Sequence, residues 1–261
     1  MEPSAEIAVQ ALVAARPRGR FVAFHKWDRN FFLAFLAICW LGVLMGFVPA
    51  VAKRAAGHAD YPAPLILQIH AFAFCAWLLL LTTQIGLIRA RRPALHMKLG
   101  LVGVALVPLM ALSGFFSEMY SQRFRFAHPP NSQAFFIIAI FYVVAFTALA
   151  SAALARRKDP PAHKRLILLA TTVIVGAAYT RWWGNALFLA FGDGLGGMIL
   201  NTYTGTNLIL LGALGYDLWT RGRLHKVYEI AVPLILFGQI ATTIIYHSPR
   251  WLPIARVIIG R

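Results

Sequence analysis

Seven runs of mostly apolar residues follow one another along the chain, at 31–52, 62–88, 99–117, 134–155, 166–191, 198–216 and 230–246. Polar segments carrying charge, Pro or Gly separate them. A helix rises about 1.5 Å per residue, so about 20 apolar residues cross the ~30 Å hydrocarbon layer of a bilayer. The first run opens Phe31-Phe32-Leu33 and holds no charge. The fifth is long and carries Arg181. The sixth is the least apolar, with Asn201, Tyr203, Thr204, Thr206 and Asn207. The seventh is the shortest, and tilt with snorkelling flanks extends it. The pattern predicts an all-α integral membrane protein: a seven-transmembrane-helix bundle over 31–247, preceded by a segment 1–30 and followed by a short tail, 248–261.

Composition agrees. Of 261 residues, 59% are hydrophobic and 13% charged, and the mean hydropathy is +0.67. A soluble domain carries about 25% charged residues, so this chain cannot cover a water-facing surface. The same numbers exclude disorder, and no solvated basic domain of the kind a nucleic-acid binder needs is present. Cys39 and Cys75 each sit alone in an apolar run and read as small buried hydrophobes. Residues 5–15 are mildly apolar, but Glu2 and Glu6 precede them and Arg16, Arg18 and Arg20 follow. That is the reverse of a cleavable signal's charge order and predicts an amphipathic helix on the cytoplasmic surface.

The net charge of +16 changes the picture through where it falls. With the N-terminus inside, 17 of the 25 Lys and Arg lie in inner segments and seven in outer ones, leaving Arg181 within a span. The positive-inside rule then predicts N-in and C-out in a bacterial inner membrane. The basic rim is an expected contact for anionic lipid headgroups.

The order is one leading helix and three helical hairpins. Each hairpin turns on the inner side through a basic loop with a histidine: RARRPALHMK with His96, RRKDPPAHKR with His163, and TRGRLHK with His225. The repeat is positional. Leu95-His96-Met97-Lys98-Leu99-Gly100, and Ala162-His163-Lys164-Arg165-Leu166 through Tyr179-Thr180-Arg181, are together similar to signatures of an uncharacterised bacterial family of multi-pass membrane proteins, a domain of unknown function. That resemblance covers about 65–185 and implies a helical membrane domain. The histidine-led helix starts also resemble the b561 class of haem-binding membrane cytochromes. Paired histidines of that class lie well inside facing helices, whereas these three lie at helix edges.

Polar groups inside a membrane are costly and therefore informative. His70, Phe74, Trp77, Leu81 and Gln84 fall at helical spacing on one face, suited to a bundle interior or to a quinone- or haem-sized cleft. Arg181 has Asn185 one turn on and Trp182 and Trp183 beside it. Its open readings are an outward snorkel, a salt bridge to Glu118 or Asp193, or a contact with an anionic ligand. In the seventh run Gln239, Thr242, Thr243 and Tyr246 share a face. With the polar start of the sixth, these predict either an outer-half cavity or helix–helix hydrogen bonding. Its candidate cofactor-binding residues are His70, His247, Arg181, Trp77 and Asn185. His70 and His247 are candidate axial ligands of haem b, or partners of His58 or His128 around a metal. His96, His163 and His225 are a candidate inner-side cofactor or quinone site, or residues that hydrogen-bond lipid phosphate and orient their helices. Asp217 with Arg221, and Glu229 with Lys226, read as ordinary interfacial pairs.

No phosphate loop, nucleophile elbow or zinc-protease motif is present. The favoured expectation is a ligand-binding, transport or complex-docking subunit of the membrane. The runner-up is a haem- or quinone-binding electron-transfer protein. A transporter would be expected to show broken helices, and Pro108 and Pro233 are the candidate interior kinks.

Overall fold

The apolar runs become helices, and nearly all of them outgrow the hydrocarbon layer. The structure, a computed structural model, describes residues 21–59, 61–127 and 133–260. It contains eight α-helices among them: α1 (Asp28–Ala55), α2 (Leu65–Arg89), α3 (Pro93–Ala127), α4 (Phe136–Ala155), α5 (Pro160–Phe191), α6 (Leu195–Arg221), α7 (Lys226–His247) and α8 (Trp251–Ile259), with a 3-10 turn at Gln133–Phe135 before α4. Six are long and apolar enough to cross a membrane. α6 is long enough, but the polar residues of its first half keep it from the apolarity of the others. The helix expected over 5–15 lies outside the described residues.

The hairpin turns explain the helix limits. α2 and α3 are joined through Ala90–Arg92, where Arg91 takes a left-handed φ of 57°. α5 begins where Asp159 accepts a hydrogen bond from the Ala162 amide (3.4 Å) and two prolines fill the first turn. Both devices suit a helix start, because the first amides lack intrahelical partners. α6 stops at Gly222, φ 65°. α7 starts at His225, whose Nδ1 accepts from the Val227 amide (3.1 Å). The segment expected as a short tail instead holds α8, because 248–261 is apolar at helical spacing. Ala255 and Ile259 are buried against the bundle, while Ile254, Val257 and Ile258 face outward.

Successive long helices run in opposite directions. Asp28 at the start of α1 meets Lys164 at the start of α5 and Arg221 at the end of α6. His247 at the end of α7 meets the α5–α6 link. One end of the molecule, called here the basic end, therefore gathers the three histidine loops.

α5 is the central helix. In its most apolar window 61% of residues are buried, against 22–33% for the other five. It packs against α1, α4, α6 and α7. Close approach needs small residues. A Cβ on Gly46 of α1 would run into the Ala178 main chain of α5, and one on Gly205 of α6 would run into the Tyr179 ring.

Candidate functional site

At the basic end, α1, α5 and α6 share an ion-pair network. Arg165 grips Asp217 with two guanidinium nitrogens, one at 2.8 Å. Arg221 donates to both oxygens of Asp28 (2.8 and 2.9 Å), and its other nitrogen lies 3.5 Å from Asp217. Lys164 and the Tyr216 hydroxyl also reach Asp28, at 2.7 and 2.6 Å. The approach to α1 is strapped over this network. The Val22 and Ala23 carbonyls accept from Arg221 and Lys164, and Phe21 lies 4.6 Å from the Arg165 guanidinium. Three cations thus face two carboxylates, each cation also satisfied by a carbonyl or a ring. The spacing of Asp217 and Arg221 signals a pair. The sequence carries no signal for the partnership of Arg165 with Asp217 or for the role of Asp28, since both join helices far apart in the chain.

The face of α2 predicted from spacing does point inward. His70 Nδ1 lies 3.3 Å from the Ser113 hydroxyl of α3. Phe74 meets Phe47 of α1. Trp77 is buried, donates to Thr171 of α5 (3.1 Å) and stands edge-on to Phe146 of α4 at 5.0 Å. Leu81 is buried, and Gln84 ends the face beside α3.

The three inner histidines do not converge. His96 and His163 do, as perpendicular rings with centroids 6.4 Å apart. His163 Nδ1 is 2.8 Å from the Ala153 carbonyl of α4. His225 is elsewhere, as the cap of α7, edge-on to Phe21 at 4.7 Å. Because its Nδ1 accepts a backbone hydrogen bond, the capping ring is neutral. Burial, reinforced by the nearby Arg165 charge, lowers its pKa to about 4.

The polar halves of α6 and α7 away from the basic end close on one another. Tyr203 and Thr242 hydroxyls are 2.8 Å apart, and Gln239 donates to Asn207 (2.9 Å). Thr180 and Tyr142 both reach the Thr202 carbonyl, at 2.9 and 3.3 Å. Of the two readings open in the sequence, these contacts describe hydrogen-bonded packing, since in a bilayer each such group is better satisfied by a neighbour than left alone.

The five residues assigned to an outer-half cavity are dispersed. Trp77 is in the core and His70 sits against α3. Arg181 is exposed, donating to the Ala177 carbonyl of its own helix (2.9 Å) with its guanidinium 4.9 Å from the Phe47 ring. Asn185 is exposed one turn on. His247 places both ring nitrogens against main-chain carbonyls, Thr243 at 2.8 Å and Asp193 at 2.7 Å, and so ties α7 to the α5–α6 link. No ring contact joins His70 to His247, and no three His, Cys, Asp or Glu side chains gather as a metal site among the described residues. His128 lies outside them. Cys39 is buried as expected. Cys75 is exposed, because its side of α2 faces away from the bundle.

A concavity lies elsewhere. α1 and α6 both flank α5 without closing over it, leaving a lateral groove of about 470 Å³. Its walls include Phe35, Ile38, Tyr179, Trp182, Leu208 and Gly212. Trp183 also lines it, and its indole nitrogen is buried without a hydrogen-bond partner. Towards the basic end, Trp27 and Trp219 frame a smaller hollow that shares Phe31 and Ala34 with the groove. Comparison of the chain with family models, characterised proteins and solved structures finds no match.

Proposed function

We propose that this is a seven-span protein of the bacterial inner membrane, N-in and C-out, with α6 as the least apolar span, and that it binds a membrane-resident amphiphile in the groove between α1 and α6. The occupant is an elongated apolar chain, such as that of a lipid or a quinone. The observation that carries the reading is the sideways-open groove itself, walled almost wholly by aromatic and aliphatic side chains of α1, α5 and α6. The volume lies within the range of small-molecule sites, roughly 300–1,000 Å³. The basic rim supports contact with anionic headgroups on the inner side. A docking role in a larger membrane complex is compatible with the same groove.

Gly212 allows a clean test. It lines the groove, and a Cβ there meets nothing within 4 Å. Gly212→Phe therefore fills the groove without disturbing the fold. Gly215, equally open, is the control. Mass spectrometry of the protein purified in gentle detergent reads the result. Wild type and Gly215→Phe retain a defined lipid or quinone, and Gly212→Phe loses it. Retention by all three sinks the proposal, and the mass of the retained species separates lipid from quinone.

A further inference from the structure

His96 and His163 start α3 and α5 and come from different hairpins, yet their rings face each other with centroids 6.4 Å apart. The His163 ring is held from one side by a main-chain carbonyl, through Nδ1 to Ala153 at 2.8 Å, and the His96 ring lies near the main chain of Gln84. In the tautomer that donates from Nδ1, His163 presents a bare Nε2 lone pair. The Nδ1 of His96 is buried with no partner, and so is the side-chain oxygen Oε1 of Gln84. Three atoms able to donate lone pairs are thus left over where α2, α3 and α5 meet.

We infer that His96 and His163, with the Gln84 carboxamide oxygen beside them, form an open binding site for a late first-row transition-metal ion. Imidazole nitrogen suits Zn²⁺ and copper ions. Metal-binding histidines commonly have their other ring nitrogen tied to a carbonyl or carboxylate, which fixes ring orientation. The His163 ring has that tie before any ion arrives. A tetrahedral ion with metal–imidazole bonds of about 2.0–2.1 Å holds two ring centroids roughly 5 Å apart, so the rings, now 6.4 Å apart, close by about an ångström around it. Two imidazoles and one neutral amide leave coordination positions open, so the site suits an exchangeable ion and not a structural one. It stands apart from the α1–α6 groove and does not depend on it.

The test uses the full chain without a polyhistidine tag, in detergent, stripped with a chelator and dialysed. Zn²⁺ is then titrated against a chromophoric chelator. Wild type takes up one equivalent that His96→Gln and His163→Gln each weaken by on the order of ten- to a hundredfold, the range that even outer-shell losses produce. Gln84→Ala weakens it less, and His225→Gln and His58→Gln leave it unchanged. Zn²⁺ raises the unfolding temperature of wild type but not of the doubly substituted protein, which shows that the ion binds the folded state. Uptake that survives both histidine substitutions overturns the site, as does a wild type that takes up no Zn²⁺.

Discussion

Arg165 and Asp217 are 3% and 1% exposed at their side chains, so neither charge has solvent to fall back on when the other is removed. Removing one member of a buried pair typically costs about 3–5 kcal/mol, because the survivor stays buried and unpaired. Asp217→Asn is therefore expected to lower stability in detergent by about that amount, read from thermal unfolding. Lys164→Met is expected to cost much less, since Arg221 and Tyr216 still hold Asp28. His225 gives a pH dependence. Its folded pKa of about 4 lies below the ordinary histidine value of 6.5, so the folded state favours the neutral ring. The stabilisation is complete above pH 6.5 and is lost as pH falls towards 4. An acid unfolding profile tests this, and His225→Asn, which keeps a capping acceptor, is expected to flatten that limb. At this scale the sequence is half legible. Spacing exposes Asp217–Arg221 and the inward face of α2, because helical geometry relates residues a few positions apart. It is silent on Arg165–Asp217, and it groups His225 with His96 and His163 where the packing of separate helices brings only the latter two together.

Between helices, shape decides more than polarity. α1 lies on α5 because Gly46 lets its backbone meet the Ala178 main chain. Backbone does not yield as a flexible side chain does, so Gly46→Ala is expected to cost about 1–3 kcal/mol and to loosen α1 from α5. Increased cross-linking or proteolysis at the start of α1, alongside a lowered unfolding temperature, checks it. The apolar runs made the helices readable, but several ends extended past the expected limits, most of all in α3, which begins at Pro93 and runs to Ala127. A helix does not stop where the hydrocarbon layer does; it stops where a cap, a glycine or a proline stops it. The polar residues of α6 and α7 were equally readable. Whether they lined a cavity or met each other depended on the distance between two helices, which no periodicity encodes. The groove was hidden for the opposite reason, since most of its lining is Phe, Leu, Ile and Gly, which look like any lipid-facing surface.

For the molecule as a whole, the loop charges predict a sided protein. Cysteines placed singly at Arg157 and at Ala56, in a background lacking Cys39 and Cys75, are expected to react with a membrane-impermeant thiol reagent from opposite sides of sealed vesicles. Labelling of both from one side contradicts the N-in, C-out arrangement. The central position of α5 also bears on how the protein is made. Its Arg165 waits for a carboxylate 52 residues further along the chain. At a synthesis rate of about 5–20 residues per second, that partner is several seconds away when Arg165 is made. During that interval the most enclosed helix of the finished bundle carries an unmatched charge and has neither α6 nor α7 beside it. A chain arrested once residue 191 has cleared the ribosome should therefore hold α5 only loosely, and only chains long enough to deliver Asp217 should hold it firmly across.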